Sequence, residues 1–385
     1  MRLCDSEEEA DFRARLRDWL RTHAPSASPG APRALAIKEL RAWSKSLHEA
    51  GYAGLTWPVQ HGGRGLLPAY QAVYAEESEL ANAPNHVNVI GLNMVGPTII
   101  RHGTNQQRAT HLPNILSGDT VFCQGFSEPD AGSDLAAVRT RARRVQGGFL
   151  LDGEKVWSSY AHIADHCLLL ARTNQEASKH RGLTCFLLDM RASGVEVRPL
   201  RQMSGDTDFN QIILRDVAVV EDSVLGPLGD GWRVALSTLA HERGTFGVTL
   251  AARLAVEFDR LVQTVTAVGA ADDPVLRRDI ADLYVQLQGL RFTGHRVLAA
   301  LERTSEPGPE SAILKLRWSQ ADQRLCALAL RVLAGQAAYD GPDAFWAGYW
   351  QRRQLRSRAT SIEGGTSEIL RSLLAERVLG LPRSR

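Results

Sequence analysis

The spacing of apolar residues changes twice along this chain, and this change constrains the fold more than any other feature. In residues 1–118, and again after about residue 230, apolar side chains recur every three to four positions, as at Phe12, Leu16 and Leu20. In residues 119–222 they form short runs rich in Val and Leu that alternate with polar residues and turn signals. A period near 3.6 predicts helices and a period of two predicts strands, so the sequence predicts a β domain inserted into a helical protein.

Three domains are predicted on this basis. They are an N-terminal helical domain over residues 1–118, a middle β-barrel domain over residues 119–222 and a C-terminal helical bundle over residues 223–385. Two long apolar stripes with short connections predict that the last domain is a bundle. The predicted fold class is therefore mainly α with a central β-barrel.

Composition excludes several function classes. The 385 residues contain 45 Lys and Arg against 43 Asp and Glu, so the net charge of +2 gives no reason to expect a nucleic-acid partner. No apolar run is long enough to predict a membrane span. The five cysteines have no CxxC spacing, and the N-terminus does not resemble a secretory signal, so we expect a cytoplasmic protein without a disulfide framework.

The stretch GFSEPDAGSD, residues 125–134, follows a predicted strand. It reads equally well as a polar surface loop or as a cofactor loop, in which backbone N–H groups and the hydroxyls of Ser127 and Ser133 grip a polar ring edge or a phosphate. The stretch GEKVWSSYAHIADH, residues 153–166, then brings Trp157 beside two hydroxyls, which suits a core strand or one wall of an aromatic cofactor pocket. Its two histidines lack the intervening glutamate of a zinc motif, so no metal is expected.

Two further stretches carry acidic residues. In LAHERGTFG, residues 239–247, Glu242 and Arg243 lie within a helical pattern that is apolar on both sides. Glu242 is either a solvated surface residue or a buried carboxylate whose pKa is raised enough for general base catalysis. In SIEGGTSEILR, residues 361–371, two glycines precede a helix that Thr366 could cap, and the start of such a helix suits an anionic ligand.

Taken together, these motifs resemble the acyl-CoA dehydrogenase family of flavoproteins over essentially the whole chain. SEPDAGSD is similar to the family's [TS]EPxAGSD signature, GEKVWSS to its GxKxWxT/S strand, and EGGTSEILRSLLAERVLGLPR to its C-terminal signature. The resemblance implies the acyl-CoA dehydrogenase-like order of a helical domain, a β-barrel and a four-helix bundle. It also implies bound FAD and α,β-desaturation of an acyl thioester carried by CoA or an acyl-carrier protein.

The resemblance also implies partners and contacts. An electron-transfer flavoprotein or another acceptor would reoxidise the enzyme, within a role in fatty acid or lipid metabolism. The chain would form a homodimer or homotetramer, or join a hetero-oligomer. The family's RxxFG segment is not recognisable after the first bundle helix, and its QxxGG appears only as RVLAG at residues 331–335, so the adenine and pyrophosphate contacts are unassigned. The implied cofactor-binding residues are Gln124, Phe126, Ser127, Gly132, Ser133, Trp157, Ser159, Thr366 and Glu368, and the implied substrate-binding residues are Ser133 and Arg243.

The position of the base distinguishes two branches of the family. Many members carry it directly before the Gly-Thr of the C-terminal signature, where this chain has Gly364, and Glu363 lies one residue too early. A second branch carries it before an arginine on the first bundle helix, where this chain has Glu242 and Arg243. We therefore expect Glu242 to be the base and the Gly364 backbone N–H to bind the thioester oxygen. The alternatives are a flavin monooxygenase on the same fold and a non-catalytic subunit of a hetero-oligomer.

Overall fold

The computed structural model describes residues 4–25, 36–304, 308 and 311–382, and it describes only the backbone of residues 242–248 and 304. The chain divides into two compact units, which we call the sheet unit and the bundle unit. The sheet unit comprises Ala36–Leu66 and Asn85–Glu242, and the bundle unit comprises Met1–Leu35, Leu67–Pro84 and Arg243–Arg385.

The described helices lie on both sides of the strands in the sequence, as the change of period predicts. In chain order they are α1 (Glu7–His23), α2 (Ile37–Glu49), α3 (Pro68–Leu80), α4 (Gly96–His102), α5 (Asn105–Ser117), α6 (Gly231–Ala267), α7 (Pro274–Thr304), α8 (Ser311–Leu333), α9 (Tyr349–Ser357) and α10 (Ser367–Arg377).

Polar residues at the helix starts explain where several helices begin. At α1 the Ser6 hydroxyl accepts from the Glu9 N–H, and the Glu9 carboxylate accepts from the Ser6 N–H at 2.7 Å. The same reciprocal pair, Thr104 with Gln107, opens α5. Each such box satisfies two backbone donors that a helix start would otherwise leave without partners.

The strands form one sheet within the sheet unit. They are β1 (Phe122–Gly125), β2 (Arg141–Val145), β3 (Gly148–Ser159), β4 (His166–Arg172), β5 (Leu183–Asp189), β6 (Val195–Leu200), β7 (Phe209–Val220) and β8 (Val224–Leu225). Their order in the sheet is β6-β7-β3-β2-β4-β5-β8, and β1 pairs in parallel with β4. The Trp157 segment belongs to β3, which forms a long antiparallel pair with β7.

Each unit has an apolar core of its own. In the sheet unit, Trp57, Phe122 and Leu168 belong to one buried cluster, and Phe149 and Phe186 belong to another. In the bundle unit, side chains from α6, α7, α8 and α9 form a single cluster. Trp350, one of its tryptophans, is completely buried and donates its indole N–H to the Thr264 hydroxyl at 2.9 Å.

The predicted fold class is confirmed: helices precede and follow a middle β region. The three domain boundaries drawn from the sequence stay a prediction. Among the described residues, no helix is both long and apolar enough to cross a membrane.

Candidate active site

The loop after β1 is tied to the next motif by its backbone. Ser127 accepts a hydrogen bond at 2.9 Å from the N–H of Val156 on β3. Glu128 and Ala131 exchange two backbone hydrogen bonds, which closes the Pro129–Asp130 turn between them. The Phe126–Ser127 backbone and the Trp157 segment are therefore held against one another, as a shared binding site requires.

A buried ion pair lies beneath this loop. The Lys155 side chain has no exposed surface, and its Nζ lies 2.8 Å from Glu128 Oε1 and 3.1 Å from the Phe126 carbonyl oxygen. The Glu128 carboxylate also accepts from the N–H groups of Arg139 and Thr140 at 2.6 and 2.8 Å. Burial raises the pKa of Glu128, but Lys155 and these donors outweigh burial, so that pKa lies below its ordinary value.

Trp157 has an unusual backbone and an exposed side chain. Its φ is +61°, a region that non-glycine residues rarely adopt, and it lies in an irregularity of the β3–β7 pairing between Lys155 and Ser158. The side chain is 61% exposed, and its one described aromatic contact is a T-shaped arrangement with the Phe209 ring, at 5.9 Å between centroids. Bulges of this kind are common beside active sites, where they re-aim a side chain.

Asn210, on β7, supports the Trp157 segment from below. It is completely buried, and its Nδ2 donates to the carbonyl oxygens of Ser158 and Asp208 at 3.1 Å. It also lies 3.1 Å from His162 Nδ1, so the histidine that suggested a metal ligand is engaged by a side-chain amide. Sequence reasoning missed this residue, because a single asparagine in a predicted strand carries no motif.

Several buried polar atoms in the sheet unit have no hydrogen-bond partner within the described part of the chain. Two of them belong to the predicted cofactor-binding segments: Gln124 Nε2, on β1, and Ser158 Oγ, next to Trp157. Gly132 has open space around it, since a Cβ there would meet nothing within 4 Å. Buried polar atoms are almost always paired in the functional protein. An isoalloxazine ring offers carbonyl oxygens and ring nitrogens, so the residues present fit a flavin.

The glycine turn before α10 lies in the bundle unit. Gly364 and Gly365 both have positive φ values, +61° and +99°. Lys315, which is buried on α8, donates to the Gly365 carbonyl oxygen at 2.7 Å and so fixes the turn. Thr366 caps α10 by accepting from the Ile369 N–H at 3.2 Å, as predicted from the sequence.

The carboxylates near this turn have different surroundings. Glu363 accepts two hydrogen bonds from the guanidinium of Arg356, at 2.8 and 3.3 Å. Glu368 is exposed in the first turn of α10 and lies 3.5 Å from Arg371. Glu363 is thus held in a bidentate ion pair with Arg356.

Glu242 and Arg243 lie on α6, and their side chains fall outside the described residues. The helix is well anchored one turn earlier. The hydroxyl of Thr238 is buried, donates to the Val234 carbonyl oxygen and accepts from the hydroxyl of Thr98, both at 3.0 Å. The assignment of Glu242 as the base therefore stays a prediction, made on a helix whose preceding turn is fixed.

The structure groups the predicted residues within its two units. The loop after β1 is linked to the end of β3 by two contacts, Val156 with Ser127 and Lys155 with Phe126. The Gly364 turn and Thr366 are adjacent at the start of α10. The sheet unit thus carries Gln124, Phe126, Ser127, Gly132, Ser133, Trp157, Ser159 and Glu242, and the bundle unit carries Arg243, Gly364, Thr366 and Glu368.

Comparison with known proteins gives matches along nearly the whole chain. The family models described as the N-terminal, middle and C-terminal domains of acyl-CoA dehydrogenase match residues 6–119, 123–217 and 229–379. The chain is 39% identical to acyl-CoA dehydrogenase IpdE1 of Mycolicibacterium smegmatis, over 98% of both proteins. It is 38% identical to IpdE1 of Mycobacterium tuberculosis, over 98% of this chain and 99% of that protein.

Solved structures agree. A structure titled Tcur3481-Tcur3483 steroid ACAD superposes with a TM-score of 0.89 at 29% identity, and the match covers all of both chains. The ChsE4-ChsE5 complex from Mycobacterium tuberculosis superposes with a TM-score of 0.86 at 26% identity, again over all of both chains. With three domain models in order and curated relatives above 30% identity, this chain belongs to the acyl-CoA dehydrogenase family, FAD-dependent oxidoreductases that act on CH–CH groups.

Proposed function

We propose that this chain catalyses α,β-desaturation of an acyl-CoA thioester, with Glu242 as the base that removes the α-proton. The observation that carries this assignment is the ion pair of Glu363 with Arg356, 2.8 Å long, beside a glycine at position 364. Glu363, the carboxylate directly before the C-terminal signature's base position, is thereby engaged elsewhere. Glu242, adjacent to Arg243 on α6, is the carboxylate left for this role.

Each residue would have a separate role in the reaction. Bound FAD supplies the acceptor for the hydride that leaves the β-carbon. Ser127 and the Phe126 backbone would hold the pyrimidine edge of the ring, and Trp157 and Ser159 would lie near its reactive nitrogen. The Gly364 N–H would donate to the thioester oxygen and stabilise the negative charge that develops when Glu242 takes the α-proton. Thr366 and Glu368 would meet FAD at the start of α10, and Ser133 and Arg243 would contact the substrate.

The acyl group is proposed from the structural relatives. The structure with a TM-score of 0.89 is titled a steroid ACAD, at 29% identity. We therefore place acyl-CoA thioesters with a fused-ring body first among candidate substrates, ahead of straight chains.

A second candidate is membership of a hetero-oligomer. Two of the structural relatives carry paired names in their titles, Tcur3481-Tcur3483 and ChsE4-ChsE5. After the first bundle helix this chain has no recognisable RxxFG segment, and the family's QxxGG appears only as RVLAG, so a related partner chain would supply the missing FAD contacts. An electron-transfer flavoprotein or another acceptor would reoxidise the flavin.

Purified protein tests both candidates together. We expect the chain to retain FAD and to lose its yellow absorbance when it is mixed anaerobically with a ring-bearing acyl-CoA. Straight-chain acyl-CoA thioesters of matched size are the controls for substrate class. Absence of FAD in the isolated chain, restored by coexpression with a related chain, would favour the hetero-oligomer. Rapid oxygen consumption without formation of an enoyl thioester would contradict desaturation.

Replacing Lys315 with methionine should reduce kcat and leave KM nearly unchanged. Methionine keeps the length of the side chain but removes the donor to the Gly365 carbonyl oxygen, so the neighbouring Gly364 N–H loses its fixed direction. The loss should be at least about tenfold, short of the roughly 10²–10³-fold cost of removing such a donor altogether. Steady-state kinetics separate the two parameters, and Lys45→Met, at an exposed lysine on α2, is the control. A rise in KM with constant kcat would assign Lys315 to binding instead.

A further inference from the structure

The sheet unit contains one lysine whose charge is enclosed directly behind the loop proposed to hold the flavin. Lys155 Nζ has two described acceptors, Glu128 Oε1 at 2.8 Å and the Phe126 carbonyl oxygen at 3.1 Å. Its side chain has no exposed surface, and that of Glu128 is 9% exposed. Water therefore screens this cation weakly, and the charge acts most strongly on the groups that Nζ contacts.

The hydrogen bond to the Phe126 carbonyl oxygen couples the charge of Lys155 to the cofactor loop. That carbonyl and the Ser127 N–H belong to the same peptide group. A cation on the carbonyl oxygen polarises the peptide, so the N–H on the other side becomes a stronger donor. The Ser127 carbonyl is meanwhile fixed by the Val156 N–H at 2.9 Å, which limits how the loop can turn.

Glu128 is the nearer partner of the cation, at 2.8 Å against 3.1 Å for the Phe126 carbonyl oxygen. The Glu128 carboxylate also accepts hydrogen bonds from the N–H groups of Arg139 and Thr140, at 2.6 and 2.8 Å. These two donors neutralise part of its charge without involving Lys155. Burial lowers the pKa of Lys155, and the Glu128 carboxylate opposes this shift. The lysine also donates to the Phe126 carbonyl oxygen.

We propose that Lys155 is a positioning residue that raises the reduction potential of the bound flavin by acting through the Phe126–Ser127 peptide. The inference rests on the proposed function, in which this peptide and the Ser127 hydroxyl meet the pyrimidine edge of the ring. Reduction of a flavin adds negative charge to that edge. A cation behind the hydrogen-bonding peptide therefore stabilises the reduced form more than the oxidised form and favours hydride acceptance from the substrate.

The test is the midpoint potential of the flavin in the purified holoenzyme, measured by photoreduction against a reference dye with no thioester present. Lys155→Met keeps the buried stem and removes the charge. We expect its two-electron equilibrium constant to fall about tenfold, which corresponds to a shift of about 30 mV to lower potential. Lys155→Arg, which keeps the charge, should lie closer to the wild type than to Lys155→Met.

Lys179→Met is the matched control, because this lysine also pairs with a carboxylate of the same motif, Asp134, but its side chain is 50% exposed. Its potential should equal that of the wild type, since water screens the lost charge. If Lys155→Met does not accumulate as folded protein, Glu128→Gln with Lys155→Met removes both charges and should shift the potential in the same direction.

An unchanged potential in flavin-loaded Lys155→Met or in the double variant would overturn the inference. A fall of equal size in Lys179→Met would overturn it as well, because the effect would then not depend on burial. These outcomes are separate from failure of the proposed function, which would appear as wild-type holoenzyme that no acyl-CoA bleaches.

Discussion

Glu242→Gln should lower turnover by about 10²–10⁴-fold and leave FAD bound, because glutamine matches the shape of glutamate but cannot accept the α-proton. The backbone at this position is helical, so the substitution does not change the geometry of α6. Anaerobic mixing with an active acyl-CoA, followed by the bleaching of the flavin band, measures the step in which the base acts.

The matched control is Glu363→Gln, which changes the other candidate carboxylate in the same way. Its ion pair with Arg356 predicts a structural role, so the bleaching rate should stay within about threefold of the wild type, given that a partly exposed pair contributes about 1 kcal/mol or less. If Glu363→Gln abolishes bleaching and Glu242→Gln does not, the base is Glu363 and the branch assignment is wrong.

The fold could be predicted from the sequence because it follows from the spacing of apolar residues, which is a local property. The predicted change of period near residue 119 precedes β1, which begins at Phe122, and the return of the helical period near residue 230 coincides with the start of α6 at Gly231. Thr366 was recognisable as a cap because the residues that follow it form a typical first helical turn. These features need only neighbouring residues for their interpretation.

The side-chain contacts that support the site could not be predicted from the sequence, because each of them joins residues that are far apart along the chain. No pattern in the sequence indicates that Lys155 and Glu128 pair, because they are 27 residues apart, yet the two side chains are buried together. Lys315 contacts Gly365 across 50 residues. The left-handed backbone of Trp157 likewise follows from how β3 pairs with β7, and no residue near Trp157 in the sequence indicates it.

A different long-range network fixes α6 within the bundle unit, and its centre is Arg353 on α9. Arg353 Nη2 donates to Asp322 Oδ1 on α8 at 2.7 Å, and its Nε lies 3.7 Å from Glu257 Oε2 on α6. Both carboxylates are almost fully enclosed, with 1% and 6% of their side chains exposed. Burial raises the pKa of Asp322 even with the guanidinium present. The arginine therefore compensates charges that solvent cannot reach.

Arg353→Met should lower the free energy of unfolding by roughly 3–5 kcal/mol, because it leaves two buried carboxylates with less compensation. The deficit should grow with pH. A carboxyl whose folded-state pKa is raised stabilises the fold below its unfolded pKa, and this contribution is lost as the pH rises through the folded pKa. Denaturant unfolding near neutral and at mildly acidic pH measures both effects.

The neighbouring residue offers a matched control for this prediction. Arg352 donates to the Ala347 carbonyl oxygen at 2.6 Å and lies 3.8 Å from Asp340, whose side chain is 64% exposed. Arg352→Met should therefore cost only about 1 kcal/mol and show little dependence on pH. Equal losses in the two variants would mean that the buried carboxylates do not need Arg353. A loss confined to Arg353→Met, larger near neutral pH, would identify it as the residue that anchors the helix carrying Glu242.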